Sequence, residues 1–199
     1  MVSRWHVPYM ASAFADFPEL HVLAQPRDRG TAAGLLLAVH WIRARDPQAI
    51  VAAFPSDHFF ADEPSFMSHV AGLAPFARRH PDRIVLVGAR PSGPGTGFGW
   101  LEPGDPPDGQ AGGGVRRVRR FWEKPARDVA EACFRAGCLW NTFVMVGSVG
   151  AFVEAGRRFM PHLHERLLGL HSSTSKQEQE KLVSEAYAPA SKVDFSQAV

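Results

Sequence analysis

The sequence is poor in cysteine, in net charge and in long apolar runs. Cys133 and Cys138 are the only two cysteines among 199 residues. Their spacing fits no common zinc or C-x-x-C redox pattern, so they read as reduced, buried thiols of a cytoplasmic protein. No stretch approaches the ~18 apolar residues of a membrane span. Met1 to Met10 carries Arg4, Trp5 and His6 and lacks the apolar centre of a signal peptide. The formal net charge is only +2, which argues against nucleic acid or a membrane as the main partner. Glycine is missing from Met1 to Leu20, whereas glycine and proline crowd between positions 91 and 114, the mark of a loop. What remains has the length and apolar content of one α/β domain, expected to span residues 1–199.

The most informative stretch is Val51-Ala52-Ala53-Phe54-Pro55-Ser56-Asp57-His58. Ile50 to Phe54 reads as a strand buried on both faces. Pro55 cannot donate to a sheet ladder and should end it. Asp57 then falls just past the carboxyl end of that strand, where open α/β sheets bind ligands. A carboxylate there can hold a hard cation such as Mg²⁺, shared with substrate phosphates. The plainer reading is that Asp57 caps the next turn or helix. Both readings stay open at this point.

Other segments follow from periodicity. His21 to Ala24 reads as a short strand, and Thr31 to Arg45 as a buried helix with Thr31 at its N-cap. A helix start preceded by Gly30 can offer backbone N–H groups to an anion or a base edge, or can simply be capped. Glu63 to Arg79 has apolar positions Phe66, Val70, Leu73 and Phe76 at helical spacing. Ile84 to Val87 reads as a second buried strand. Gly97-Phe98-Gly99-Trp100-Leu101-Glu102 is no dinucleotide fingerprint, because the glycines are mis-spaced and no helix pattern follows.

Val115 to Trp122 reads as a strand with arginines at 116, 117, 119 and 120. These could attract phosphate, but a solvated strand face is the plainer reading. Glu123-Lys124-Pro125 ends it. A lysine there can act as a point charge on a phosphate and the glutamate can accept from hydroxyls; a surface ion pair of little worth is the alternative. Arg127 to Ala136 reads as a helix. Leu139 to Val146 reads as a strand in which Asn141 needs polar partners, either backbone or ligand. Ser148 to Leu170 is helical in pattern. His162 and His164 are two apart, which does not place them on one helical face and argues against a metal pair. His171 to Glu180 reads as exposed and Lys181 to Tyr187 as a short helix. Strands alternating with helices predict an α/β fold with a mainly parallel sheet.

FPSDHFF, TGFGWLEPG, FWEKP, LWNTFVMVG and KVDFSQAV, in this order, resemble the motifs of mannose-1-phosphate guanylyltransferases, within the sugar-nucleotidyltransferase superfamily. QPRDRGTAAGLLLA resembles that family's nucleotide-contacting segment. The resemblance runs from about Val22 to Val199. It implies a Rossmann-like sheet flanked by helices, of the nucleotide-diphospho-sugar transferase type. It further implies transfer of GMP from GTP to mannose 1-phosphate with release of pyrophosphate, and Mg²⁺ as cofactor. By the same resemblance Asp57 and Asp194 match the metal-binding aspartates, and Lys124 the lysine that holds the sugar phosphate. Glu123 and Asn141 match sugar-hydroxyl contacts, Gly99 a glycine lying against the sugar, and Gly30 and Thr31 the segment beside the base. GTP and the sugar 1-phosphate are then the partners, with the oligomeric state, homo-oligomer included, left open.

The family opens with a strand and a glycine-rich loop that cradles the triphosphate, and nothing in Met1 to Leu20 matches it. The fold is therefore expected to lack its first strand. A homologue that binds nucleotide-sugars or regulates a partner is the alternative function. A nucleotide-sugar glycosyltransferase would want a D-x-D pair, which Asp57-His58-Phe59 does not supply.

Overall fold

A computed structural model describes residues 1–10, 17, 19–107, 114–173 and 175–193. In chain order the elements are β1 (Val2–Ser3), a 3₁₀ turn (Arg4–Met10), β2 (Ala24–Gln25), α1 (Gly30–Arg43), β3 (Ile50–Ala53), α2 (Glu63–Gly72), α3 (Ala74–Arg79), β4 (Ile84–Ala89), β5 (Trp100–Pro103) and β6 (Val118–Trp122). They continue as α4 (Arg127–Arg135), β7 (Leu139–Ser148), α5 (Val149–Phe159), α6 (Pro161–Leu167), a second 3₁₀ turn (Leu168–His171) and α7 (Lys176–Tyr187). The α/β class expected from the sequence is the one found. Contacts group the chain into two units, Met1–Val51 with Ser148–Val199, and Ala52–Gly147.

The first unit is mostly helical. Its short strands β1 and β2 pair in parallel. Helix α1 buries Leu36, Leu37 and Val39, and α5 buries Val149 and Phe152. A Cβ on Gly156 of α5 would collide with Leu36 of α1, so the glycine lets these two helices approach. Tyr187 is fully buried at the end of α7, and its hydroxyl donates to the carbonyl of Ala33 at 2.8 Å. Burial pushes the pKa of this phenol well up.

The sheet runs in the order β3-β7-β5-β6, with β4 also paired to β7. Its strand directions differ from the mainly parallel arrangement. The pairs β4–β7, β5–β6 and β5–β7 are all antiparallel. Alternating helices and strands imply parallel neighbours only when each crossover returns the chain to the next strand in the same sense. Here β5 and β6 pair directly as antiparallel neighbours, with no helix among the described residues between them. The bonds Gly104 N–H to Arg117 O (2.7 Å) and Arg117 N–H to Asp105 O (2.9 Å) extend that hairpin beyond its strands.

Strand β6 lies at the end of the sheet, which explains its arginines. Arg119 and Arg120 are exposed on it, and charge on an outer strand discourages pairing with other chains. Arg119 pairs with Glu102 at 3.4 Å, while Arg116 and Arg117 donate to the carbonyls of Gly104 and Pro107. Beneath the sheet Trp100, Ala130, Cys133 and Cys138 form a buried cluster, with Trp122, Val129 and Trp140 packed against it.

Two helical stretches break where proline interrupts them. The Glu63 to Arg79 stretch divides at Leu73, and Pro75 sits in the first turn of α3. The Ser148 to Leu170 stretch divides at Met160, and Pro161 opens α6. Proline removes the donor that a continuous helix needs and clashes with the preceding turn, but it fits a first turn. Helix α7 begins earlier than its apolar pattern, at Lys176, because the Ser175 side chain accepts from the N–H of Glu178.

Candidate functional site

In the unit Ala52–Gly147 the structure gathers Gly99, Glu123, Lys124 and Asn141. Gly99 lies just before β5, and its carbonyl accepts from the N–H of Asn141 in β7 at 2.7 Å. A Cβ on Gly99 would lie 3.1 Å from Oε2 of Glu123. Glu123 and Lys124 follow β6 directly, with the Lys124 ammonium 3.8 Å from the Glu123 carboxylate. Glu123 is largely covered and Lys124 exposed, with side-chain exposures of 27% and 66%. At that exposure the ion pair itself adds little stability, so the ammonium is available to another anion.

Asn141 owes its orientation to a break in the β4–β7 ladder. Val87 pairs with Val144, but Gly88 pairs with Asn141, so Thr142 and Phe143 are looped out. Side chains replace the lost ladder bonds. Thr142 Oγ1 donates to the carbonyl of Val87 (2.6 Å) and accepts from the N–H of Val144 (3.2 Å). Asn141 Oδ1 accepts from the N–H of Phe143 at 3.1 Å. With its oxygen engaged, the Asn141 amide presents its NH₂ as a donor.

Two residues here adopt the left-handed region, Lys124 at φ 43° and Phe143 at φ 59°. Such conformations cost free energy for a non-glycine residue and gather at functional sites. Both lie close to a named site residue. Behind them Trp140 stacks on Phe98 at 4.3 Å and meets Trp100 edge-on. Among the described residues the buried Trp140 Nε1 donor has no hydrogen-bond partner. The sequence reading passed over this indole and over Phe143, since neither residue type signals its role locally.

Asp57 sits in the turn after β3 and is exposed. It is not a helix cap. That position belongs to Asp62, whose side chain accepts from the N–H of Ser65 at 3.1 Å and whose carboxyl pKa is lowered by hydrogen bonding to Ser65. Phe60 and Phe66 stack at 3.6 Å in the segment that follows, and Phe54 meets Phe66 edge-on. Among the described residues no group of three or more His, Cys, Asp or Glu could hold a metal ion. Mg²⁺ does not require one, since it commonly takes one or two carboxylates together with substrate phosphates and water. An exposed Asp57 fits that demand. Asp194 lies outside the described residues.

Gly30 and Thr31 belong to the other unit, at the start of α1. Thr31 does not cap the helix: Arg29 holds the N-cap position, with no side-chain cap bond. Main-chain and aspartate acceptors do this work instead. Asp28 Oδ1 accepts from Gly30 N–H at 3.0 Å, and the Val193 carbonyl accepts from Ala32 N–H at 3.2 Å. Gly30 has φ +83°, and a Cβ there would strike the Val193 carbonyl. Arg29 donates to the carbonyls of Tyr187 and Ala188, and Lys192 pairs with Asp28 at 2.8 Å. The hydrogen bond from Lys192 is the main reason the Asp28 carboxyl is held below its ordinary pKa. Residues 187–193 thus clamp the segment that leads into α1.

A nucleotidyl transferase family model matches residues 8–183. The chain belongs to the nucleotidyl transferase family. The match begins before Val22, where the motif resemblance starts. Among curated members, the chain is 29% identical over 141 residues to "Xanthan biosynthesis protein XanB" of Xanthomonas campestris pv. campestris (strain B100), covering 70% of this chain and 28% of that protein. It is 26% identical over 146 residues to "Mannose-1-phosphate guanylyltransferase" of Escherichia coli (strain K12), covering 72% and 30%. The chain therefore spans under a third of the length of these relatives. A crystal structure described as mannose-1-phosphate geranyltransferase from Thermus thermophilus superposes with a TM-score of 0.81 at 26% identity, covering 100% of this chain and 54% of that one. A crystal structure described as mannose-6-phosphate isomerase from Helicobacter pylori shares the fold, with a TM-score of 0.74 at 19% identity, covering 100% and 76%. No helix of the chain, among the described residues, is long and apolar enough to cross a membrane.

Proposed function

We propose that the chain is nucleotidyl-transfer machinery of the mannose-1-phosphate guanylyltransferase type, which moves GMP from GTP to mannose 1-phosphate and gives GDP-mannose and pyrophosphate. The observation that carries this reading is the cluster of Gly99, Glu123, Lys124 and Asn141. It offers an acceptor, a cation and an amide donor within one small region. That is the set a phosphorylated sugar needs: hydroxyls donate to Glu123, a ring or hydroxyl oxygen accepts from Asn141, and the phosphate meets Lys124.

In the reaction a phosphate oxygen of the sugar 1-phosphate attacks the α-phosphorus of GTP. The bond to the bridging oxygen breaks and pyrophosphate leaves with the electron pair. The protein's part is positioning and charge neutralisation. Lys124 draws the sugar phosphate in and offsets its charge. Glu123 and Asn141 fix the sugar, and the bare backbone at Gly99 lets the Glu123 carboxylate and the Phe121 ring sit close beside β5. Gly30 and Thr31 take the nucleotide side. Asp57, with Asp194 as a second ligand, would hold Mg²⁺, which supplies charge neutralisation between the phosphates.

The test is pyrophosphate release by the 199-residue chain with GTP, mannose 1-phosphate and Mg²⁺, beside calorimetry with GDP-mannose. Turnover that needs both substrates and falls by about 10²-fold or more in Lys124→Ala supports the reading, on the scale of losing one charge-stabilising group. A second reading, a nucleotide-sugar-binding module, rests on the acceptor, cation and amide donor of Glu123, Lys124 and Asn141, which can hold a sugar phosphate without taking part in the transfer. Binding of GDP-mannose that depends on Lys124 but comes without turnover is the outcome that selects it.

A further inference from the structure

Three histidines far apart in the sequence meet in the unit Met1–Val51 with Ser148–Val199. His40 of α1 is fully buried and lies between the other two. Its Nδ1 is 3.1 Å from Nε2 of His171 in the second 3₁₀ turn, and its Nε2 is 3.2 Å from Nδ1 of His164 in α6. Both ring nitrogens of His40 are thus committed to other imidazoles, and His164 is itself buried at 8% exposure. The three rings join α1 to the helical segment that follows α5.

The proton inventory of this chain of rings is fixed by its geometry. Each N···N bridge holds one hydrogen and no more. With all three rings neutral there are three ring protons: two fill the bridges and one sits on an outward nitrogen, His164 Nε2 or His171 Nδ1. One additional proton can occupy the other outward nitrogen, and both bridges survive. A second additional proton has no place left, and two N–H groups must then face each other across a bridge. Hydrogen bonding turns into repulsion between like charges, in a buried place at the His40–His164 bridge and a part-buried one at the bridge to the exposed His171.

We propose that the chain His171–His40–His164 is a pH-sensitive lock, which holds α1 closed while it carries at most one extra proton and releases α1 when a second arrives. The charged surroundings favour this. Arg43 on α1 and Arg157 on α5 act against protonation of the cluster, and Glu154 and Glu165 act for it at His164 alone. Burial is the largest influence on all three rings and lowers the pKa of each, that of His40 to about 3. The sign follows. An unfolded histidine takes its proton near pH ~6.5, whereas these do so at lower pH when folded. Stability is therefore complete above that value and is lost as pH falls.

Helix α1 begins with the Gly30–Thr31 segment, so the consequence of opening, loss of nucleotide binding, rests on the function proposed above; the lock itself does not. The test follows amide hydrogen exchange in α1 of the full chain between about pH 7 and pH 4.5, in the native protein and in His171→Gln. The glutamine keeps a polar partner for His40 but cannot be protonated. Native opening takes up two protons relative to the closed state, and the variant takes up one. The opening constant should rise with falling pH up to about tenfold less steeply per pH unit in His171→Gln than in the native chain. Equal slopes overturn the lock. If the variant does not fold, ¹⁵N shifts of the imidazoles in the native chain decide. While α1 stays protected, the three rings together should take up no more than one proton. Uptake of a second with α1 still protected overturns the proposal. GTP binding measured over the same pH range separates the two ideas: a lock that works in a chain that never binds GTP removes the nucleotide reading and leaves the lock.

Discussion

The place where a side chain on Gly99 would stand is taken by Glu123. Oε2 of Glu123 lies 3.1 Å from that position, and the Phe121 ring 3.0 Å. A methyl group at residue 99 must move both. Gly99→Ala should cost about 1 kcal/mol of stability, at the lower end of overpacking effects. It should also weaken GDP-mannose binding about tenfold, equivalent to ~1.4 kcal/mol. Urea unfolding and calorimetry on the same preparation check both. An unchanged affinity would remove Gly99 from the sugar side of the site.

Lys124 separates the demands of folding from those of binding. Its φ of 43° suits glycine and disfavours any residue with a Cβ. Lys124→Gly should therefore be about 1 kcal/mol more stable than Lys124→Ala. Both should lose affinity for mannose 1-phosphate equally, because both lack the ammonium. Thermal melts of the two variants beside binding isotherms test this. A difference in affinity between them would mean that backbone shape, and not charge, governs binding there.

Tyr187→Phe deletes a hydroxyl that is fully buried and donates to Ala33 O at 2.8 Å. The carbonyl is left short of a donor, and the expected loss is about 1–2 kcal/mol in urea unfolding. Since this residue pins the start of α1 from α7, hydrogen exchange at the first turns of α1 should speed up as well. Loss of stability with unchanged exchange there would confine the role of Tyr187 to packing.

Cys133 and Cys138 are both buried and reduced. Burial, then the neighbouring Cys133, push the Cys138 thiol up to about 11. Since the thiolate is the reactive form, native protein should react with Ellman's reagent far more slowly than a free cysteine at about pH 8. Both thiols should titrate at once in concentrated guanidinium. Rapid native reaction of either thiol would contradict the packing of the cluster around Trp100.

Much of the site scaffold was legible because its cues are local. Pro55 and Pro125 follow β3 and β6 closely, and the polar Asn141 stands out within an apolar run. The spacing of apolar residues located α1, α4 and β7 within a few positions. Strand direction was not legible, since an apolar run reads the same whichever way its neighbour points. Helix breaks at Pro75 and Pro161 were read through because apolar periodicity continues across them. The histidine chain was out of reach altogether. His40 lies 124 residues from His164 and 131 from His171, and only the packing of α1 reveals the link. Local spacing draws the eye to His162 and His164, which do not pair, and gives no hint of His40.

The loop of Thr142 and Phe143 in β7 adds two residues, an even number. Side chains in a strand alternate between faces, so one extra residue would exchange the inside and outside of everything beyond it. Two leave the parity of the strand intact. Val144, Met145 and Val146 keep their places in the core while Asn141 is set at its own angle. Changes confined to this pair of residues can therefore re-aim the amide without re-registering the sheet; on the function proposed above, positions 142 and 143 are where sugar preference can drift without moving the core.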